Sequence, residues 1–79
     1  MTREEILSKI NKIFQDAFDD ESLQISETTN ANDIADWDSL MQMNLIEMVE
    51  DEFGFQFSMD EATGMKNVGD MVNIVEAHV

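Results

Sequence analysis

The sequence predicts an all-α fold of three main helices and one short helix, connected through one long loop. Two observations carry that prediction. Apolar residues recur at helical spacing in three separate stretches, and each stretch starts near a Ser, Thr, Asp or Asn able to cap it. The 79-residue chain also contains no proline to interrupt those stretches, no internal repeat and no low-complexity segment.

The first helix is expected from about Arg3 to Phe18. Thr2 and Glu5 fit a capping box, and Ile6, Ile10, Ile13, Phe14, Ala17 and Phe18 fall on one stripe. Glu5 and Lys9 are spaced as an i,i+4 ion pair on the outer face. From Asp19 to Asp38 the chain is polar and turn-rich, with Leu23, Ile25 and Ile34 placed to pin a long loop to the helices. Reading Asp33 as the first position of a calcium loop puts Asp38 where glycine is needed and Asn44 where the bidentate Glu belongs. No metal site is expected there.

The second helix is expected from Ser39 to Phe53, closed by Gly54 as a left-handed C-cap. Leu45, Ile46, Val49 and Phe53 form its buried stripe, and Leu40, Met43, Glu47 and Glu50 lie opposite. Met41 and Met48 read as core edge. An outward face that pairs apolar with acidic side chains resembles an interaction surface more than a solvated one. Phe55-Gln56-Phe57 reads as a short extended connector with two rings for the core. Ser58 and Glu61 form a second capping box, on a segment that Gly64 ends within two turns. A last helix begins near Asn67 and carries Met71, Val72, Ile74 and Val75 towards Val79, with His78 on an end expected to fray.

Seventy-nine residues suit one small domain, residues 1–79, with a modest core. A start at Met1 with a helix directly after it suggests an intact small protein. The absence of cysteine and of a signal peptide suggests a cytoplasmic one, and no stretch approaches the length of a membrane span. Eighteen acidic residues face four basic ones, and none of the four lies between Lys12 and Lys66. Such a surface disfavours nucleic acid and anionic membranes and attracts basic protein surfaces. Crowded carboxylates are expected to raise one another's pKa, so that stability should rise as the pH falls from 7 towards about 5. An apolar content of 43% in clear helical periodicity argues against disorder.

Little in the chain suits catalysis. The sole histidine is near the C-terminus, the three glycines form no phosphate-cradling loop, and a chain this small offers no deep pocket to tune carboxylates. No catalytic residue is assigned. What stands out is Trp37-Asp38-Ser39-Leu40, where a hydroxyl meets the start of a helix. Unpaired N–H groups there favour an attached negative group, which suggests a covalent handle.

Asp38-Ser39-Leu40 at the start of an acidic helix resembles the acyl carrier proteins. The resemblance spans the chain: the long first loop, Leu45-Ile46, the Asp51-Glu52-Phe53-Gly54 helix end, the short third helix and Val68-Gly69-Asp70-Met71-Val72. It implies a four-helix bundle, monomeric, with 4'-phosphopantetheine attached to Ser39 between Asp38 and Leu40. A separate magnesium-dependent phosphopantetheinyl transferase would install it from coenzyme A. Acyl groups would then travel as thioesters between enzymes with basic docking surfaces, which would bind Met43, Glu47, Glu50 and Asp51. Asn44 replaces an acidic residue usual in fatty-acid-synthesis carriers, and with Trp37 it looks more like carriers of specialised pathways. A peptidyl or D-alanyl carrier is the alternative within this class. An acidic helical adaptor or nucleic-acid mimic, with Ser39 only a helix cap, is the alternative outside it.

Overall fold

Each helix begins at a side chain that satisfies an unpaired backbone N–H of its first turn. In the computed structural model, which describes residues 1–79, Thr2 and Glu5 close a capping box on α1 (Arg3–Ala17) and Asp38 caps α2 (Ser39–Phe53). Ser58 and Glu61 close a second box on α3 (Met59–Gly64), and Asn67 caps α4 (Val68–His78). This is the all-α, four-helix fold expected from the sequence. α1 stops one residue short of its apolar pattern: Phe18 becomes the C-cap and Asp19 turns the chain with a left-handed φ of 51°. Gly54 ends α2 at φ 72°, a conformation that favours glycine.

α1 packs against both α2 and α4. Their contact is a core of ten apolar side chains: Ile6, Ile10, Ile13 and Phe14 from α1, Leu45 and Val49 from α2, and Val68, Met71, Val72 and Val75 from α4. No polar or charged side chain is buried with them. Ile46, Phe53 and Ile74 are half-buried instead of fully enclosed, and the short α3 buries no residue itself. Met41 and Met48 sit at the core edge, as expected.

The long loop is held at both ends and in the middle. Leu23, Ile25 and Ile34 pack on the core. Gln15 donates to the Leu23 carbonyl at 2.9 Å, and Asn11 Oδ1 accepts from the Ile25 N–H at 2.8 Å. The carbonyls of Thr29 and Glu27 then accept from Val68 and Gly69 at 2.9 and 2.7 Å, so the loop itself satisfies the first turn of α4. That approach requires glycine at 69, where a Cβ would stand 2.9 Å from the Glu27 carbonyl oxygen. Arg3 reinforces the junction, bonding to Glu27 in the loop and to Asn73 and Glu76 on α4.

One sequence expectation about charge is corrected. Glu5 does not pair with Lys9, because its carboxylate is committed to the Thr2 end of the capping box; Lys9 approaches Glu52 of α2 at 3.8 Å instead. At that distance and exposure it contributes within about 0–1 kcal/mol. His78 is exposed at the helix end, and it has partners there: its ring stacks on Phe55 with centroids 4.6 Å apart, and Nε2 lies 3.0 Å from Glu61, joining α4 to α3.

The carboxylates that depart from their ordinary range move down, against the expected effect of crowding. The Thr2 backbone N–H and then its hydroxyl hold Glu5 low, and the Ser22 hydroxyl and N–H do the same for Asp20. The Ser58 N–H, followed by His78, lowers Glu61. A group whose folded pKa is depressed adds stability above its unfolded pKa and loses it as the pH falls through the folded value. The melting temperature should therefore fall as pH is lowered from about 5 to about 3, across the ordinary carboxylate range. Circular dichroism melts at half-unit steps, repeated for Glu61→Gln, test this. A wild-type melting temperature that rises over that window would restore crowding as the dominant effect.

Candidate functional site

The loop delivers Trp37 and Asp38 to the start of α2 in a fixed arrangement. Trp37 is half-buried, with its ring edge-on to Phe14 at 5.1 Å and an interplanar angle of 84°. Its indole N–H donates to Gln42 Oε1 at 2.6 Å, one turn into α2. Asp38 Oδ1 accepts from the Met41 N–H at 2.8 Å and so performs the capping. Ser39 follows as the first helical residue, exposed, with its hydroxyl not needed as the cap. No acidic side chain occupies the first turn of α2. An anion bound to this hydroxyl would meet free N–H groups and the positive end of the helix.

Beside Ser39 lies an open cleft of about 380 Å³. Ala31, Trp37 and the capping Asp38 line it from the loop, and Ser39 and Gln42 from α2. Met65, Lys66, Asn67 and Met71 form the opposite wall, where α3 passes into α4. Sequence reasoning singled out Ser39, Asp38 and Trp37 but missed the far wall, since residues 65–71 meet Ser39 only through the tertiary fold. Lys66 carried the one available signal, as the first basic residue after a long acidic stretch.

Along α2, Leu40 and Met43 are 71% and 66% exposed. Glu47 and Asp51 are also exposed, without a basic partner. Glu50 is different. It is half-buried, and its carboxylate accepts from the Phe57 N–H at 2.8 Å, which ties the connector to α2. Met59 opens α3 with 81% exposure, an outward apolar residue that periodicity did not flag.

The family model described as phosphopantetheine attachment site matches residues 5–75. An acyl carrier protein from Lactobacillus acidophilus is 38% identical over 78 residues, covering 99% of this chain and 98% of that protein. The chain belongs to the acyl carrier protein family. Solved structures agree. The solution structure of a holo acyl carrier protein from Geobacter metallireducens matches with a TM-score of 0.84 and 41% identity, over 90% of this chain and 82% of that one. An acyl carrier protein from Enterococcus faecalis, described for its high thermal stability, matches with a TM-score of 0.75 and 35% identity over the full length of both chains.

As an acyl carrier protein the chain is a carrier and not an enzyme, and the prosthetic group of its family is a covalent 4'-phosphopantetheine. The region around α2 accommodates such a group: an exposed hydroxyl outside the capping bond, a first turn whose remaining N–H groups can face a phosphodiester, and a cleft alongside. No helix is long and apolar enough to cross a membrane.

Proposed function

We propose that Ser39 bears the phosphopantetheine arm and that the protein carries acyl intermediates between enzymes of a fatty-acid, polyketide or other specialised biosynthetic pathway in the cytoplasm. The observation that carries this reading is the division of labour at the helix start. Asp38 holds the capping bond, so the rival role of Ser39 as a mere cap is already filled. On a separate transferase, the Ser39 Oγ attacks the pantetheine-bearing phosphorus of coenzyme A; the Oγ–P bond forms as the pyrophosphate P–O bond breaks, adenosine 3',5'-bisphosphate leaves, and the enzyme takes the hydroxyl proton. When bound, the arm supplies a thiol that holds the cargo as a thioester. This chain contains no cysteine that would compete for the cargo.

Partners dock, in this reading, on Leu40, Met43, Glu47 and Asp51. Leu40 and Met43 are the apolar contacts to be desolvated, and the two carboxylates steer basic surfaces towards them. Glu50 contributes charge to the same face while bonding Phe57, so Glu50→Lys would disturb the fold as well as docking. Glu47→Lys and Asp51→Lys are the cleaner tests. Each should reduce the association rate with the transferase several-fold at low salt, with the difference shrinking as salt is raised. Stopped-flow binding measures this, and unchanged rates in both variants would place docking elsewhere.

The cargo class is read from the protein isolated from its native cells. A mass increment beyond the arm that hydroxylamine removes should prove to be an acyl group. An amino acid in that position would instead make this a peptidyl or D-alanyl carrier.

A further inference from the structure

The residue before a helix cap often packs on the fourth residue of the helix, an apolar staple that sets the angle at which the chain enters. In α2 those two positions are Trp37 and Gln42, before and after the cap Asp38. Their contact is polar: the indole N–H donates to Gln42 Oε1 at 2.6 Å. An indole nitrogen can only donate, so the bond also fixes which way the Gln42 amide faces. Such a bond is directional, whereas apolar contact is not. Trp37 is anchored from two further sides. Its ring meets the fully buried Phe14 edge-on, and its backbone N–H donates to the Ile34 carbonyl at 3.1 Å.

Ser39 lies inside the span that this bond closes. Asp38 holds the same span from within, its Oδ1 on the Met41 N–H at 2.8 Å and its carbonyl on the Gln42 N–H at 2.9 Å. The side chains of Trp37, Asp38 and Gln42 are thus tied down, while those of Ser39 and Leu40 are left exposed between them. A cap alone fixes the first turn of α2 and lets the preceding chain swing about it. The Trp37–Gln42 bond removes that freedom. Phosphoryl transfer needs the attacking oxygen nearly in line with the bond that breaks, and misplacement by about 1 Å can cost about 100-fold in rate. We propose that Trp37 and Gln42 are positioning residues for the modification of Ser39. Through their bond they fix the entry of the chain into α2, and with it the direction in which the Ser39 Oγ is presented to the transferase. This rests on the attachment at Ser39 proposed above.

Trp37 is the only tryptophan, so the full chain produced with 3-benzothienylalanine in place of tryptophan exchanges that one indole N–H for sulfur and keeps the ring system. Gln42→Met removes the acceptor from the other side. Both proteins are converted with coenzyme A, magnesium and excess transferase in single turnovers followed by intact mass. Each change should lower the maximal rate at least about fivefold while the half-saturating transferase concentration stays within about twofold, because the docking residues are untouched. Combined, the two changes should lose no more than either alone, as two partners in one bond must. Ile6→Val thins the buried core two turns before Phe14; it should lower the melting temperature and leave both kinetic values as in the wild type. Wild-type rates in the benzothienyl protein, or losses that multiply when the changes are combined, would overturn the positioning role. An equal loss in Ile6→Val would reduce the bond to general stability and overturn it as well. Should circular dichroism show Gln42→Met unfolded, the benzothienyl protein decides alone. A wild-type chain that never gains the mass of the arm would instead remove the attachment at Ser39, and this role with it.

Discussion

Replacing Phe14 with alanine should leave most of the protein unfolded at 25 °C. Phe14 is fully buried in the last turn of α1, among side chains from α2 and α4. Truncating a buried phenylalanine removes its transfer free energy and leaves a cavity, together about 3–5 kcal/mol. A 79-residue chain with a single small core has a total stability of about that size. The loss would also reach the candidate site, because Phe14 supports Trp37 through an edge-on ring contact worth about 0.5–1.5 kcal/mol beyond its buried area. Denaturant titrations should show the midpoint collapse towards zero, with tryptophan emission shifted to the red even before denaturant is added. Retention of more than half the wild-type stability would show that the core repacks around the gap, and that the Phe14–Trp37 contact does not set the position of the loop.

The sequence was most legible where one short-range rule decided the outcome. Caps at Thr2, Asp38, Ser58 and Asn67 bind N–H groups three residues away, so helix starts could be read from neighbours alone. Gly54 announced the end of α2 in the same way. Side-chain partners were less legible, because a carboxylate chooses among groups that only the fold assembles. Glu5 had Lys9 at helical spacing, yet the N–H and hydroxyl of Thr2 hold it. Glu50 reads as an outward acidic residue on α2, yet the connector brings the Phe57 N–H to it. His78 looked like a loose end until Phe55 and Glu61 supplied a surface to close on. The candidate site divides along the same line. Its near wall, Trp37 to Gln42, is contiguous in sequence, whereas its far wall is set by the packing of α4 and by the Thr29 and Glu27 carbonyls that hold α4 to the loop.

Ser39→Ala should abolish prosthetic-group attachment while leaving the fold almost unchanged. The two effects separate because Asp38, not Ser39, carries the capping bond. An exposed serine at the first helical position, replaced by a better helix former, should alter stability by no more than about 0.5 kcal/mol. Asp38→Ala makes the contrast. It should cost about 1 kcal/mol through loss of the cap, and it leaves a hydroxyl in place whose modification would be slowed but not abolished. Circular dichroism melts of the two variants report the first difference. The decisive measurement is intact mass after incubation with coenzyme A, magnesium and a broad-specificity transferase, followed by peptide mapping. The account predicts a single phosphopantetheine increment on the wild-type chain, located at Ser39 and absent from Ser39→Ala. A wild-type chain that stays unmodified across several transferases, or an increment that persists in Ser39→Ala, would contradict it.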